Sequence, residues 1–335
     1  MKPARVGEIR NWKTGPGGKP EPWVRTDTGW TRVSEATAKK IQSPSQVREH
    51  FLDFASDLAN YMTPEEVAEY RQAKENYERA SEGQAAGKVD SVTALQAAAE
   101  FQAADALRRR RLVASLSVRD PAKLERKPLS DAIKLRHEWL PNPELAKARM
   151  AKIAPAMETL SRMISADVFS QLETKPVSID VDRFSLYDAR GKRGTRNDPV
   201  DYEGPVILLA YAKEATIDKT EDDLYHEYMH HLWHQNKAIR DAVERFFHER
   251  TKDDEVIEET SPLIGKYRYK PDKWVEKGGR EYTGRLYGKS EGDTEEGAGM
   301  EVLSCGMERL MYDPQEFASQ DPEFFDLVIS CIRGL

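Results

Sequence analysis

Cysteine is nearly absent from this chain: Cys305 and Cys331 are the only two in 335 residues. Both stand in apolar helical surroundings, which excludes a disulfide framework and reads as buried thiols of a reducing compartment. Long apolar runs are missing as well. No stretch approaches the ~20 residues a helix needs to span a bilayer, and no N-terminal segment has the apolar core of a signal peptide. A soluble protein without membrane contact is therefore expected. Basic excess is also lacking, with 51 Lys and Arg against 58 Asp and Glu and a net charge of −7. That balance argues against broad nucleic-acid affinity, which requires a basic face. Histidine is scarce too, and its distribution is uneven: of seven in the chain, four fall between His226 and His234.

What is present supports a real core, since 39% of residues are hydrophobic, while 33% charged residues imply a heavily solvated exterior. The expected class is α+β, a mainly helical N-terminal region followed by a domain with a small sheet. Residues 1–42 read as irregular, with Trp12, Trp23 and Trp30 spread among glycines and prolines. A hairpin is predicted about Asp27-Thr28-Gly29. Small elements rich in tryptophan must bury those rings against another part of the chain or a partner. Residues 43–141 read as a helical hairpin suited to docking a protein partner. Thr63-Pro64-Glu65-Glu66 carries the marks of a helix start, running to about Arg79. A second helix is predicted over Val92 to Leu116. Its four arginines, Arg108 to Arg111, point round the whole helix, which favours a solvated segment over an anion site. Trp139-Leu140-Pro141-Asn142-Pro143 marks a boundary, and 142–335 form the last region. There Glu144 to Leu172 reads as an amphipathic helix, with Met150, Ile153, Met157, Leu160, Met163, Ile164 and Val168 inward. Val177 to Val181 alternates as a half-buried strand. Phe184 to Tyr187 extends or pairs with it, and the run Gly204 to Ala212 reads as a buried strand.

The stretch that organises the chemistry is His226-Glu227-Tyr228-Met229-His230. Residues four apart share a helix face, so His226 and His230 aim two imidazoles at one point, as a zinc ion requires. Glu227 lies about 100° round the helix, in reach of a water at that point without being a ligand. Thr220 is the predicted N-cap, and Leu224, Tyr225, Tyr228, Met229, Leu232 and Trp233 make the helix apolar on most sides. Polar groups left unpaired in such a place cost roughly 2–7 kcal/mol, and metal coordination removes that cost. His234 lies one turn further on the same stripe, but about 12 Å separates the α-carbons of His226 and His234, too far to converge on one ion. The third ligand must come from elsewhere. Glu301 opens a second buried helix through Met311, with Ser304, Cys305 and Glu308 on its polar side. Glu301 is the first candidate and Glu308 the reserve. The zinc helix is predicted to continue through Ile239, Val243, Phe246 and Phe247 toward Arg250. Residues 251–298 read as a long, charged loop covering the site, from which Tyr282 or Tyr287 could donate a hydrogen bond to the oxyanion of a tetrahedral intermediate. Phe317, Phe324, Phe325, Val328 and Ile332 form a closing helix.

A helix bearing His-Glu-x-x-His, followed by one with Glu301-Val302-Leu303-Ser304, resembles the gluzincin branch of the metallopeptidases. Tyr228 to His231, Tyr282-Thr283-Gly284-Arg285-Leu286-Tyr287, Glu301 to Met311, and Asp313-Pro314 through Asp321-Pro322-Glu323-Phe324-Phe325 occur in order. Together they resemble the zincin-like domain at the C-terminal end of some phage head-morphogenesis (minor head) proteins and related prophage products, over residues 176–335. Metzincins are a poorer match, because Trp233 and Asn236 stand where their longer motif needs Gly and His. The resemblance implies a zinc metallopeptidase, with His226, His230 and Glu301 as ligands, Glu227 as base, and a protein or peptide substrate. It also implies a cytoplasmic or virion-associated protein, or one delivered to a host cell. The alternative it raises is an assembly protein that keeps the zincin-like fold for binding.

Overall fold

The structure, a computed structural model, describes residues 9–13, 20–26, 29–32, 44–118, 133–136, 153, 155–165, 168, 177–182, 186–188, 192–195, 198–201, 205–210, 219–261, 265–271, 282–287 and 299–334. It is α+β, and among the described residues no helix is long and apolar enough to cross a membrane. The chain divides into two compact units. One comprises 1–41, 118–308 and 327–335; the other comprises 42–117 and 309–326.

The second of these units is helical. It holds α1 (Pro44–Ala55), a short 3-10 turn (Leu58–Asn60), α2 (Pro64–Ala85) and α3 (Ser91–Ala114). The predicted start of α2 is present in full. Thr63 accepts from the Glu66 amide and Glu66 accepts from the Thr63 amide, so two otherwise orphaned donors are satisfied reciprocally. The helix outruns its predicted end near Arg79 and stops where Gly87 supplies a φ of 68°. Tyr70 and Tyr77 pack on Phe101 across the hairpin. Three of the four consecutive arginines have partners within this unit. Arg108 pairs with Asp105 at 2.7 Å, Arg111 with Glu66 at 2.7 Å, and Arg109 donates to the Tyr312 carbonyl at 2.7 Å. The run is thus spent largely on holding its own unit together. Phe51 stacks on Phe325, and the Arg48–Asp326 pair at 2.9 Å lies beside that contact.

The first unit carries the sheets. A meander β1 (Ile9–Lys13), β2 (Pro20–Thr26) and β3 (Gly29–Arg32) contains the predicted hairpin, with Trp23 opposite Arg32. The side chains of Trp12, Trp23 and Trp30 lie outside the description, as do Met150 and the 139–143 boundary. The main sheet runs β4-β5-β9-β6. Its members are β4 (Ile133–Arg136), β5 (Val177–Asp182), β6 (Leu186–Asp188) and β9 (Val206–Ala210). Strands β4, β5 and β9 are parallel, and β6 is antiparallel on the β9 edge. Strand β4 falls in a region read as helical, because its Ile133-Lys-Leu-Arg alternation is too short to stand out. A hairpin of β7 (Lys192–Thr195) and β8 (Asp198–Asp201) lies between β6 and β9 in the chain. The helix predicted over 144–172 is seen at 155–163. It leaves helical geometry at 164–165, where the Ser165 amide donates to the Ile332 carbonyl at 2.8 Å. Ile153, Met157, Leu160, Met163, Ile164 and Val168 are all buried, as their spacing implied.

From β9 the chain passes to α4 (Lys219–Gln235), which packs on β9 and β6. Thr220 lies in the first turn of α4 rather than before it. The long helix expected to reach Arg250 is two helices. Asn236 leaves helical geometry and accepts from the Ile239 amide at 3.0 Å, capping α5 (Lys237–Arg250). Asparagine's short amide competes for backbone donors, which is why it favours caps over helix interiors. The stretch expected as a long loop also contains structure, namely a sheet of β10 (Ile257–Ser261), β11 (Gly265–Tyr269) and β12 (Arg285–Leu286). Its hairpin is held by polar pairs rather than apolar alternation. Lys266 meets Glu258 at 2.9 Å, and Glu259 accepts from the Tyr267 and Tyr269 hydroxyls.

Helix α6 (Met300–Tyr312) follows, then α7 (Pro314–Gln320) and α8 (Pro322–Arg333). Gly299 sets the start of α6. Its φ is 81°, and an added Cβ would lie 3.1 Å from the Phe247 Cβ and 3.4 Å from the Val243 carbonyl of α5. Only glycine allows both that dihedral and that approach. Gly299→Ala is expected to destabilise the chain by about 1–3 kcal/mol, read as a lowered urea midpoint; an unchanged midpoint would contradict this packing.

Candidate metal centre

Helices α4 and α6 bring the predicted residues together. His226 and His230, one turn apart, are both buried, and their Nε2 atoms lie 3.0 Å apart. Glu301 is 1% exposed, and its Oε2 lies 3.1 Å from His226 Nε2 and 3.3 Å from His230 Nε2. The three donor atoms form a compact triangle. Ligands held tetrahedrally at zinc's usual 2.0–2.1 Å would stand roughly 3.3 Å from one another. Glu308, the reserve candidate, takes a different place: its Oε1 meets His226 Nδ1 at 3.0 Å. A carboxylate on one imidazole nitrogen fixes the ring's orientation and turns the other nitrogen toward the shared point. Glu301 thus meets both Nε2 atoms, where a third ligand could come from, and Glu308 meets the other nitrogen of His226.

Further contacts hold Glu301 in place. Ser304 donates to its Oε2 at 3.0 Å, and the Tyr287 hydroxyl donates to its Oε1. In this arrangement Tyr287 positions a carboxylate, and the expected oxyanion role requires its hydroxyl to leave Glu301. The Tyr282 hydroxyl is 3.5 Å from that of Tyr287, and the Tyr282 ring lies 5.9 Å from the His226 ring. Burial, and then the charge of Glu301, push both phenols well above their ordinary range. His234 takes no part in the triangle; burial holds its imidazole down to about 4, so it stays neutral.

The charges explain why an ion suits this place. Burial works against a charged His226, but the carboxylates of Glu301 and Glu308 outweigh it and hold the imidazole up to about 10. Burial likewise opposes ionisation of Glu301, and the two imidazoles overcome it, keeping that carboxylate well below its usual range. Without an ion, protons must hold this cluster together. A divalent cation performs the same task with fewer constraints, and two imidazoles with one carboxylate are a donor set that zinc accepts. His230 Nδ1 is buried without a hydrogen-bond partner among the described residues.

Glu227 projects from the same helix and is 6% exposed, with no hydrogen bond or ion pair among the described residues. Burial pushes its carboxyl up to about 8. The sequence marked these positions but not the roles of Ser304, Glu308 and Tyr287 around the ligands. Glu308 shares the Glu301 face two turns on, which was the signal available. A buried group of His226, Glu301 and Cys305 could also hold a metal ion, its ligand atoms lying within 4.8 Å of one another. The triangle that includes His230 is tighter and fits a first coordination shell better.

No protein-family model matches this chain, and neither does any curated protein or solved structure.

The full chain is expected to take up about one divalent ion, read by elemental analysis after dialysis. His226→Ala and Glu301→Ala should lose it, while Cys305→Ser keeps it. Loss of metal in Cys305→Ser with retention in Glu301→Ala would exchange the two residues' roles.

Proposed function

We propose that this chain is a zinc-dependent metallopeptidase that hydrolyses peptide bonds in a protein or peptide substrate. The observation that carries the reading is the meeting of His226 Nε2, His230 Nε2 and Glu301 Oε2 within 3.3 Å of one another, with the buried Glu227, which has no hydrogen bond among the described residues, beside His226 on the same helix. The resemblance to gluzincins, and to the zincin-like domains of phage head-morphogenesis proteins, supports the same assignment.

His226, His230 and Glu301 would hold the zinc. When bound, zinc supplies a Lewis acid that polarises a peptide carbonyl and lowers the pKa of water toward ~7. Glu227 takes the proton from the attacking water and returns it to the departing amine nitrogen. Ser304 and Tyr287 keep the Glu301 carboxylate turned to the imidazoles, and Glu308 keeps His226 in the tautomer that presents Nε2. Tyr282, whose hydroxyl stands 3.5 Å from that of Tyr287, is the other donor for a developing oxyanion.

A second reading has its own observation. On α3, Val92 and Leu95 are 73% and 70% exposed, a surface that fits a protein partner. An assembly protein would use the helical unit in this way and keep the zincin-like fold for binding.

Peptide products from a cell extract, read by mass spectrometry, separate the two. The zinc-loaded wild type is expected to generate new termini. Glu227→Gln should lose about 10²–10⁴-fold in rate while retaining its zinc. Equal cleavage by the two proteins would reject Glu227 as base, and no cleavage by either would favour the assembly reading.

A further inference from the structure

Arg285 stands at the edge of the same site. It lies in β12, where it pairs with Tyr269 of β11. The turn before it is firmly held: the Arg285 amide donates to the Tyr282 carbonyl at 3.2 Å, and the Lys270 amide donates to the Gly284 carbonyl at 3.0 Å. Thr283, inside the turn, is 1% exposed. The guanidinium carbon sits 4.6 Å from the centre of the Tyr287 ring and 5.4 Å from that of Tyr282. Those are the two tyrosines that reach the metal centre, one through Glu301 and the other against the His226 ring.

No carboxylate among the described residues pairs with Arg285. Elsewhere the chain supplies such partners readily: Arg48 has Asp326, Arg108 has Asp105, Arg111 has Glu66 and Arg309 has Asp321. A half-exposed guanidinium stacked on aromatic faces can present its N–H edge to a ligand, and among the described residues no carboxylate takes it up. Its planar fork matches a carboxylate through two parallel hydrogen bonds. Because the rings and the turn fix it beforehand, little ordering entropy remains to be lost when a ligand arrives. Glu227, Glu301 and Glu308 make the metal centre acidic, which would repel an anionic peptide. Arg285 brings a cation to the two tyrosines that border that centre, one of which bonds Glu301.

We propose that Arg285 is a specificity-determining residue that receives a carboxylate of the peptide substrate, so that the site selects peptides carrying an acidic group close to the scissile bond. This deepens the metallopeptidase reading and rests on it. The carboxylate has two possible sources, an Asp or Glu side chain or a free C-terminus, and both offer the same pair of oxygens.

The test uses the full-length, zinc-loaded chain carrying Glu227→Gln, titrated calorimetrically with three pools of short peptides. One pool has internal Asp and blocked ends, one has neutral side chains and a free C-terminal carboxylate, and one is neutral with blocked ends. One of the carboxylate pools should bind about tenfold or more tightly than the neutral pool, and which one does so names the source. Arg285→Met should abolish the preference, and Arg285→Lys should restore part of it, with zinc content and melting temperature unchanged in both. If Arg285→Met does not fold, Arg285→Gln takes its place. Equal binding of all pools, binding of none, or a preference that survives the loss of the guanidinium would overturn the proposal. Cleavage by the wild type without acidic preference would also overturn the role of Arg285 but leave the peptidase reading intact. Absence of any cleavage would sink the peptidase reading, while the titration would still report on Arg285.

Discussion

A carboxylate buried between two imidazoles is the constraint on which the rest of the first unit depends. Glu301 is almost wholly withdrawn from solvent, and an ionised group in that position is tolerated only when fully paired. His226, His230, Ser304 and Tyr287 supply the pairing. The imidazoles in turn must face inward, which Glu308 secures for His226. Each group is satisfied only if the others are in place, so the cluster behaves as one unit in which a missing member leaves a buried charge exposed to its neighbours.

The scaffold serves that cluster from several directions. Strand β9 delivers the chain into α4, whose apolar residues Leu224, Met229 and Leu232 are completely buried. Gly299 brings the start of α6 against α5 more closely than any side chain would allow, and Glu301 follows within one turn. The small sheet of β10, β11 and β12 fixes the turn that carries Tyr282, Arg285 and Tyr287. Three separate segments therefore meet where charge is concentrated, the two helices anchored by apolar packing and the small sheet by its cross-strand polar pairs.

Much of this could be read from the chain itself, for a definite reason. The spacing of His226 and His230 carries its own geometry, because helical periodicity fixes which side chains share a face. The buried helix after Gly299 announced itself by Val302, Leu303, Met307 and Leu310. Its polar residues could be named, but their division of labour could not. Which carboxylate meets Nε2 and which meets Nδ1 depends on the rotation of one helix against another, and no local pattern records that. Asn236 illustrates a different limit. The apolar spacing runs on through Ile239 and Val243 as though one helix continued, and the cap that divides it is a single amide. The charged stretch after Arg250 concealed a sheet because its cross-strand pairs, Lys266 with Glu258 and Tyr267 with Glu259, replace the usual alternation with complementary polar contacts. The joining of 309–326 to the helical unit is likewise invisible locally, since Phe51 and Phe325 lie far apart in the chain.

The proposed arrangement is two imidazoles and one carboxylate gathered around a single ion. X-ray absorption at the zinc edge of the loaded full-length protein tests it most directly. The expected first shell is nitrogen and oxygen at about 2.0–2.1 Å with no sulfur. A sulfur scatterer near 2.3 Å, which would place Cys305 in the shell, or a spectrum of hydrated zinc alone, would contradict it.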